Sequence, residues 1–128
     1  MAEERCLRVG VVEDDAIIAL DIKRRVQKFG YRIVMSAANA EEALRLAEQE
    51  HPDLVLMDIR IRGEADGVDT ALILRKKFDI PVIFVTAYSD DGMRERADKA
   101  SPLGYLVKPI RDSDLKKALS LAEERVRG

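Results

Sequence analysis

Apolar runs and amphipathic segments alternate along the chain. Leu7 to Val12, Tyr31 to Ala37, Leu54 to Met57, Pro81 to Thr86 and Gly104 to Val107 are short runs bounded by charged or turn residues. Most lack the polar alternation of a half-solvated strand, so they read as strands buried on both faces of a parallel sheet. Between them, apolar residues return every three or four positions. Ala16 to Phe29 places Ile18, Ile22, Val26 and Phe29 on one helical face, and Gly30 is a plausible stop. Asn39 with Glu42 has the form of a capping box for a helix through about Glu50. Val68 to Lys77 predicts a third helix with Val68, Ala71, Leu72 and Leu74 as its apolar set. Asp90 to about Ala100 predicts a weak one, because Met93, Ala97 and Ala100 are few and small and little area holds it down. The last helix runs to Val126 with Leu115, Leu119, Ala122 and Val126 on one face. Strands and helices in strict alternation predict an α/β fold, one doubly wound five-stranded parallel sheet with right-handed crossovers.

At 128 residues the chain has the size of one domain, and no linker or low-complexity tract divides it, so residues 1–128 are expected to form a single unit. Basic and acidic residues nearly cancel, 22 against 24, which gives no electrostatic case for direct binding to nucleic acid or a membrane. With no Trp and three each of Phe and Tyr, the core must be aliphatic, and stacking surface for bases is scarce. The single Cys6 cannot form an internal disulfide and reads as an ordinary thiol in a reducing cytosol. The charged start and the absence of a long apolar run point the same way, to a cytoplasmic protein. The lone His51, before Pro52, reads as a loop residue.

Candidate chemistry lies immediately after the strands. Glu13 and Asp14 follow the first, Asp58 ends the third, Thr86 the fourth, and Lys108 follows the fifth. Open α/β sheets gather such residues at one edge, where ligands bind. Each has an ordinary explanation of its own: strand-end acids cap helices, Thr suits strands, and lysines are usually solvated. Jointly, coincidence accounts for them poorly. Carboxylates that converge within about 4 Å repel by on the order of 4 kcal/mol per pair at an effective dielectric near 20. A hard divalent cation relieves that repulsion, and Mg²⁺ suits a small all-oxygen site. A cation, a hydroxyl and an ammonium together surround a place where a phosphoryl group is stabilised, with Asp58 as the natural nucleophile.

The segments Val-Val-Glu13-Asp14-Asp, Val-Leu-Met-Asp58, Val-Thr86-Ala and Gly-Tyr105-Leu-Val-Lys108-Pro109 resemble, in order and spacing, those of receiver domains of two-component response regulators. The resemblance spans Leu7 to about Val126. It implies a flavodoxin-like sheet of strand order 2-1-3-4-5. It also implies that Asp58 accepts a phosphoryl group from a phosphohistidine on a sensor histidine kinase or phosphotransfer protein. Asp14, Asp58 and the main-chain carbonyl of Arg60 would bind Mg²⁺, or Mn²⁺ in its place, with Glu13 acting through water. Thr86 would turn its hydroxyl to the phosphate and Lys108 would pair with a phosphate oxygen, across a Lys108–Pro109 bond that is typically cis. Tyr105 would swing inward as Thr86 moves. The face made by helix four, strand five and helix five would then control a downstream protein or an output domain. The resemblance implies a switch that assists its own phosphotransfer and dephosphorylation rather than an enzyme with external substrates.

The sequence departs from the family pattern at Ile61-Arg62-Gly63, where Met-Pro is common near the phosphorylated Asp, and at Ile110, where Phe is frequent. The 58–67 loop and the Tyr88-Ser89-Asp90 turn resemble those of receivers attached to RNA-binding antiterminators or to sensor kinases. Arg60 and Tyr88 occupy places that tune the lifetime of the acyl phosphate. Three other classes compete. An Asp-nucleophile phosphohydrolase generally needs a second acid two residues on, where Arg60 stands. A flavodoxin-like cofactor binder wants a hydroxyl- and Gly-rich phosphate loop after strand one, where Glu13-Asp14-Asp15 would repel the phosphate. A pseudo-receiver that only docks has no use for the complete acid, hydroxyl and lysine set.

Overall fold

In the computed structural model, which describes residues 6–61, 66–87 and 92–127, five parallel strands form one sheet in the order β2-β1-β3-β4-β5. The strands are β1 Arg8–Val12, β2 Arg32–Ala37, β3 Leu54–Asp58, β4 Val82–Thr86 and β5 Gly104–Val107. The helices are α1 Ala16–Lys28, α2 Ala40–Glu50, α3 Gly67–Phe78, α4 Arg94–Ala97 and α5 Asp112–Arg127. The predicted α/β sheet and its borrowed strand order are therefore both found.

Buried side chains fall into two layers, one on each side of the sheet, and alternation along β3 shows why. Leu54 and Leu56 pack with Ile22, Val26, Leu115 and Leu119 of α1 and α5. Val55 and Met57 pack on the other side with Ala43, Val68, Ala71 and Leu74 of α2 and α3. A central parallel strand has no solvent face, so all five β3 residues are buried, Asp58 included.

Helix starts are set by side-chain caps. Asp15 Oδ1 accepts from the amides of Ile17 and Ile18 at 2.9 and 3.1 Å and opens α1. The expected box at α2 is met in part: Asn39 Oδ1 accepts from Glu42 N at 2.9 Å, and Glu42 Oε1 accepts in return from the amide of Ala38, one residue before the cap, at 2.8 Å. Asp66 Oδ1 caps α3 by accepting from Asp69 N at 3.0 Å. His51, expected in a loop, ends α2 in the left-handed region at φ 48°, and Arg8 donates to its carbonyl at 2.8 Å.

Several expectations need correction. Leu7, Tyr31 and Pro81 lie just outside their strands, and α3 extends one residue at each end of the predicted span. Val126 is 39% exposed rather than part of the α5 core face, because that face is complete with Leu115, Leu119 and Ala122. Residues 90–91 of the predicted 90–100 helix lie outside the described residues; within its described part, residues 92–100, it is α-helical over the four residues of α4, followed by a 3-10 turn over Asp98–Ala100. Its buried residues are the small Ala97 and Ala100, and α4 has no side-chain cap, so neither packing nor capping sustains a longer helix. The Arg62–Ala65 part of the loop after β3 and the Tyr88–Asp90 turn lie outside the described residues.

Candidate functional site

Strand register delivers the predicted residues to one edge. Val12 of β1 stands opposite Met57 of β3, which sets Glu13 beside Asp58. Asp58 in turn faces Val85, the residue before Thr86, and Thr86 faces Val107, the residue before Lys108. Glu13 and Asp58 are only 4% and 5% exposed, which is rare for acids without partners, and Thr86 beside them is 3% exposed. Carboxylate oxygens of Glu13, Asp14 and Asp58 lie within 4.8 Å of one another.

The partner is Lys108. Its Nζ lies 3.3 Å from Glu13 Oε1 and 3.3 Å from Asp58 Oδ2, so one ammonium bridges two buried acids. Main-chain donors hold the other oxygens. Asp15 N donates to Glu13 Oε2 at 3.1 Å, and Arg60 N donates to Asp58 Oδ1 at 3.0 Å. Backbone pairing fixes the frame: Glu13 N donates to Ala37 O, Ile59 N to Val85 O and Lys108 N to Thr86 O, at 2.9, 3.0 and 2.7 Å. The Lys108–Pro109 peptide is cis, as the resemblance implied.

Two acids and one ammonium leave excess negative charge. Burial is the main reason that the Glu13 carboxyl is pushed up to about 7; its amide bond from Asp15 opposes this, and Asp58 adds to it. For Lys108, burial alone would lower the ammonium, but Asp58 and Glu13 together outweigh it and the net shift is upward. Three mutually repelling carboxylates, with Glu13 and Asp58 buried and Asp14 partly exposed, form an oxygen-only donor set that fits a hard divalent cation.

Thr86 Oγ1 donates to the Ala87 carbonyl at 3.2 Å. Tyr105 is half-buried, stacks on Phe84 with ring centroids 5.8 Å apart, and carries the Arg94 guanidinium 4.1 Å from its own ring centroid. Its hydroxyl donates to Asp98 Oδ1, and the two effects that push its pKa up to about 12 are burial first and then Asp98. Tyr105 thus joins β5 to the α4 region.

Sequence reasoning missed several local roles. Asp15, not Glu13 or Asp14, is the helix cap, which leaves the other two acids to the sheet edge. Gly67 packs directly on the end of β3: a Cβ there would lie 2.2 Å from the Asp58 carbonyl oxygen. Its signal was the Asp66-Gly67 pair, a cap followed by the one residue without a Cβ.

A doubly wound parallel sheet with an acid cluster, a hydroxyl and a lysine at its carboxyl edge defines a flavodoxin-like receiver fold. The family model described as "Response regulator receiver domain" matches residues 9–120, and the chain belongs to that family, the receivers of two-component signalling. It is 41% identical over 120 residues to "Transcriptional regulatory protein PdtaR" of Mycobacterium tuberculosis, covering 94% of this chain and 58% of the relative. It is 28% identical over 123 residues to "Phyllosphere-induced regulator PhyR" of Methylorubrum extorquens, covering 95% and 45%. The chain therefore spans about half the length of these curated relatives. Among solved structures, the signal receiver domain of a modulated diguanylate cyclase from Desulfovibrio desulfuricans matches with a TM-score of 0.89 at 33% identity, covering 95% of this chain and 97% of that one.

Proposed function

We propose that residues 1–128 act as one phosphoacceptor switch whose acceptor is Asp58. The observation that carries this reading is the half-buried Lys108 ammonium shared between the buried acids Asp58 and Glu13. An unmodified carboxylate shares its cation with a neighbour. An aspartyl phosphate is larger and more negative, and competes better for that cation.

The donor is a phosphohistidine of a sensor histidine kinase or phosphotransfer protein. An Asp58 oxygen forms the new bond to phosphorus as the P–N bond breaks, and the imidazole keeps the electron pair and takes a proton. Glu13, Asp14, Asp58 and the Arg60 carbonyl would hold Mg²⁺, with Mn²⁺ as a substitute. When bound, the cation neutralises the carboxylates and the phosphoryl oxygens. Lys108 pairs with a phosphate oxygen, and Thr86 turns its hydroxyl from the Ala87 carbonyl to the phosphate. Tyr105 lies on the path outward, since it contacts Phe84 of β4 and Arg94 and Asp98 of the α4 region. Movement there biases the α4–β5–α5 face toward a downstream protein or an output domain of a longer regulator, without direct contact to nucleic acid.

In the described residues no helix is long and apolar enough to cross a membrane. Arg60 is exposed and offers no acid for phosphohydrolase chemistry. Incubation with acetyl phosphate and Mg²⁺ tests the reading: one phosphoryl group per chain is expected, and chelation of the cation should prevent it. Sustained turnover of many phosphate esters would replace the switch with a hydrolase.

A further inference from the structure

One side chain from the far end of α1 reaches the segment that carries Lys108. Arg25 lies in the last turn of α1. Its Nε and Nη2 donate to Asp21 Oδ2, one turn back, at 3.2 and 2.7 Å. Its Nη1 donates to the Ile110 carbonyl at 2.6 Å and to Asp112 Oδ1 at 3.4 Å. Asp21 thereby orients a rigid fork whose free edge points at the turn between β5 and α5.

That turn is held unevenly. Its start is fixed where Lys108 N donates to Thr86 O at 2.7 Å. Beyond it, Pro109 is exposed and Ile110 only half-buried. A groove of about 400 Å³, flanked by Ile18, Ile22, Pro109 and Ile110, lies between α1 and the turn. Ile110 packs only in part against the core layer that holds Ile22 and Val26, and two polar ties from α1 cross this side: Lys28 Nζ to Asp112 Oδ2 at 3.3 Å, and Arg25, which holds a main-chain atom of the turn itself. Lys108 stands two residues before the strapped carbonyl.

We propose that Arg25 is a positioning residue for Lys108: by tying the Ile110 carbonyl to α1, it fixes the turn so that the Lys108 ammonium stays within reach of Asp58. The proposal rests on the reading of Lys108 as the group that responds to phosphorylation. Lysine at position 25 keeps the charge but presents a single ammonium, which cannot hold Asp21 and the Ile110 carbonyl with the same planar fork. Asp21→Asn keeps a side-chain oxygen that can accept from the guanidinium, so the fork stays oriented toward the carbonyl.

The test uses hydrogen exchange over residues 92–107, compared before and after phosphorylation by acetyl phosphate with Mg²⁺. The variants are Arg25→Ala, Arg25→Lys, Asp21→Asn, Lys108→Ala and Arg25→Ala with Lys108→Ala. Phosphorylation-induced change should fall at least about threefold in Arg25→Ala, within the range for residues coupled through a shared element. Phosphoryl incorporation should stay within about twofold, the scatter allowed for uncoupled sites. Arg25→Lys should restore the melting temperature but not the full response, and Asp21→Asn should respond nearly as the wild type. The double variant should be no worse than Lys108→Ala, because the strap acts through the lysine. A wild-type response in Arg25→Ala, or additive losses in the double variant, would overturn the positioning role while leaving Lys108 as the responder. A wild-type response in Lys108→Ala would instead remove the reading on which the proposal stands. If Arg25→Ala does not fold, the Arg25→Lys response decides alone, and full recovery there overturns the strap.

Discussion

Glu13 is the side chain whose protonation reports most directly on the site. Its carboxyl is displaced upward from 4.5 to about 7, so between those values the folded chain holds a proton that the unfolded chain releases. Without a bound cation, folding stability should therefore fall as pH rises from 4.5 toward 7 on account of this group. Cation binding requires the carboxylate, so Mg²⁺ affinity should rise about tenfold from about pH 6 to about pH 8, with proton release on binding. Calorimetry in two buffers of different ionisation enthalpy measures both effects. An affinity that is flat over that interval would remove Glu13 from the cation site. Lys108 differs in kind, because its expected role is response: Lys108→Ala should reduce signalling far more than phosphoryl incorporation. Normal signalling by that variant would refute the assignment.

The β3–α3 junction shows how elements, rather than single groups, hold the site. Gly67 opens α3 against the end of β3, its N–H donating to the Ile59 carbonyl at 3.2 Å. A Cβ there would also lie 2.9 Å from Ile59 Cα, and both neighbours are backbone that cannot swing aside. Gly67→Ala should therefore destabilise the chain by about 1 to 3 kcal/mol. It should also weaken cation binding, since Asp58 and the Arg60 carbonyl lie on the displaced segment. A variant with unchanged melting and unchanged Mg²⁺ titration would show that α3 can be seated differently. At the opposite extreme is α4, with four α-helical residues and no cap; its amides should exchange fastest among the helices, and those of β3 and β4 slowest. These contrasts also mark what could be read from the chain alone. Runs such as Leu54 to Met57 announce their strands because burial on both faces leaves no polar alternation, and Asp58, Thr86 and Lys108 follow from strand ends. The length of α4 could not be read that way, since it depends on packing that Met93, Ala97 and Ala100 do not supply. Nor could the Arg25 contact, which joins residues 85 positions apart through a main-chain carbonyl that no residue type reveals.

Across the whole molecule, the sheet separates two tasks. Its carboxyl edge gathers Glu13, Asp14, Asp58, Thr86 and Lys108, while β5 and α4 carry the aromatic and charged contacts through Tyr105. On the proposed reading, that separation would let one covalent event at Asp58 alter a face that differs from the one receiving the phosphoryl group. Phosphotransfer profiling against sensor kinases should find a donor with a marked kinetic preference, and that donor would define the input pathway. The central claim is more local, that Asp58 alone among the three clustered carboxylates accepts the phosphoryl group. Its most direct test is mass spectrometric mapping of the chain after acetyl phosphate and Mg²⁺, alongside Asp58→Asn with its fold verified by circular dichroism. The account predicts a single acid-stable, base-labile phosphoryl group on Asp58 and none in the variant. Undiminished incorporation in Asp58→Asn, or a label mapped to Asp14 or Glu13, would contradict it.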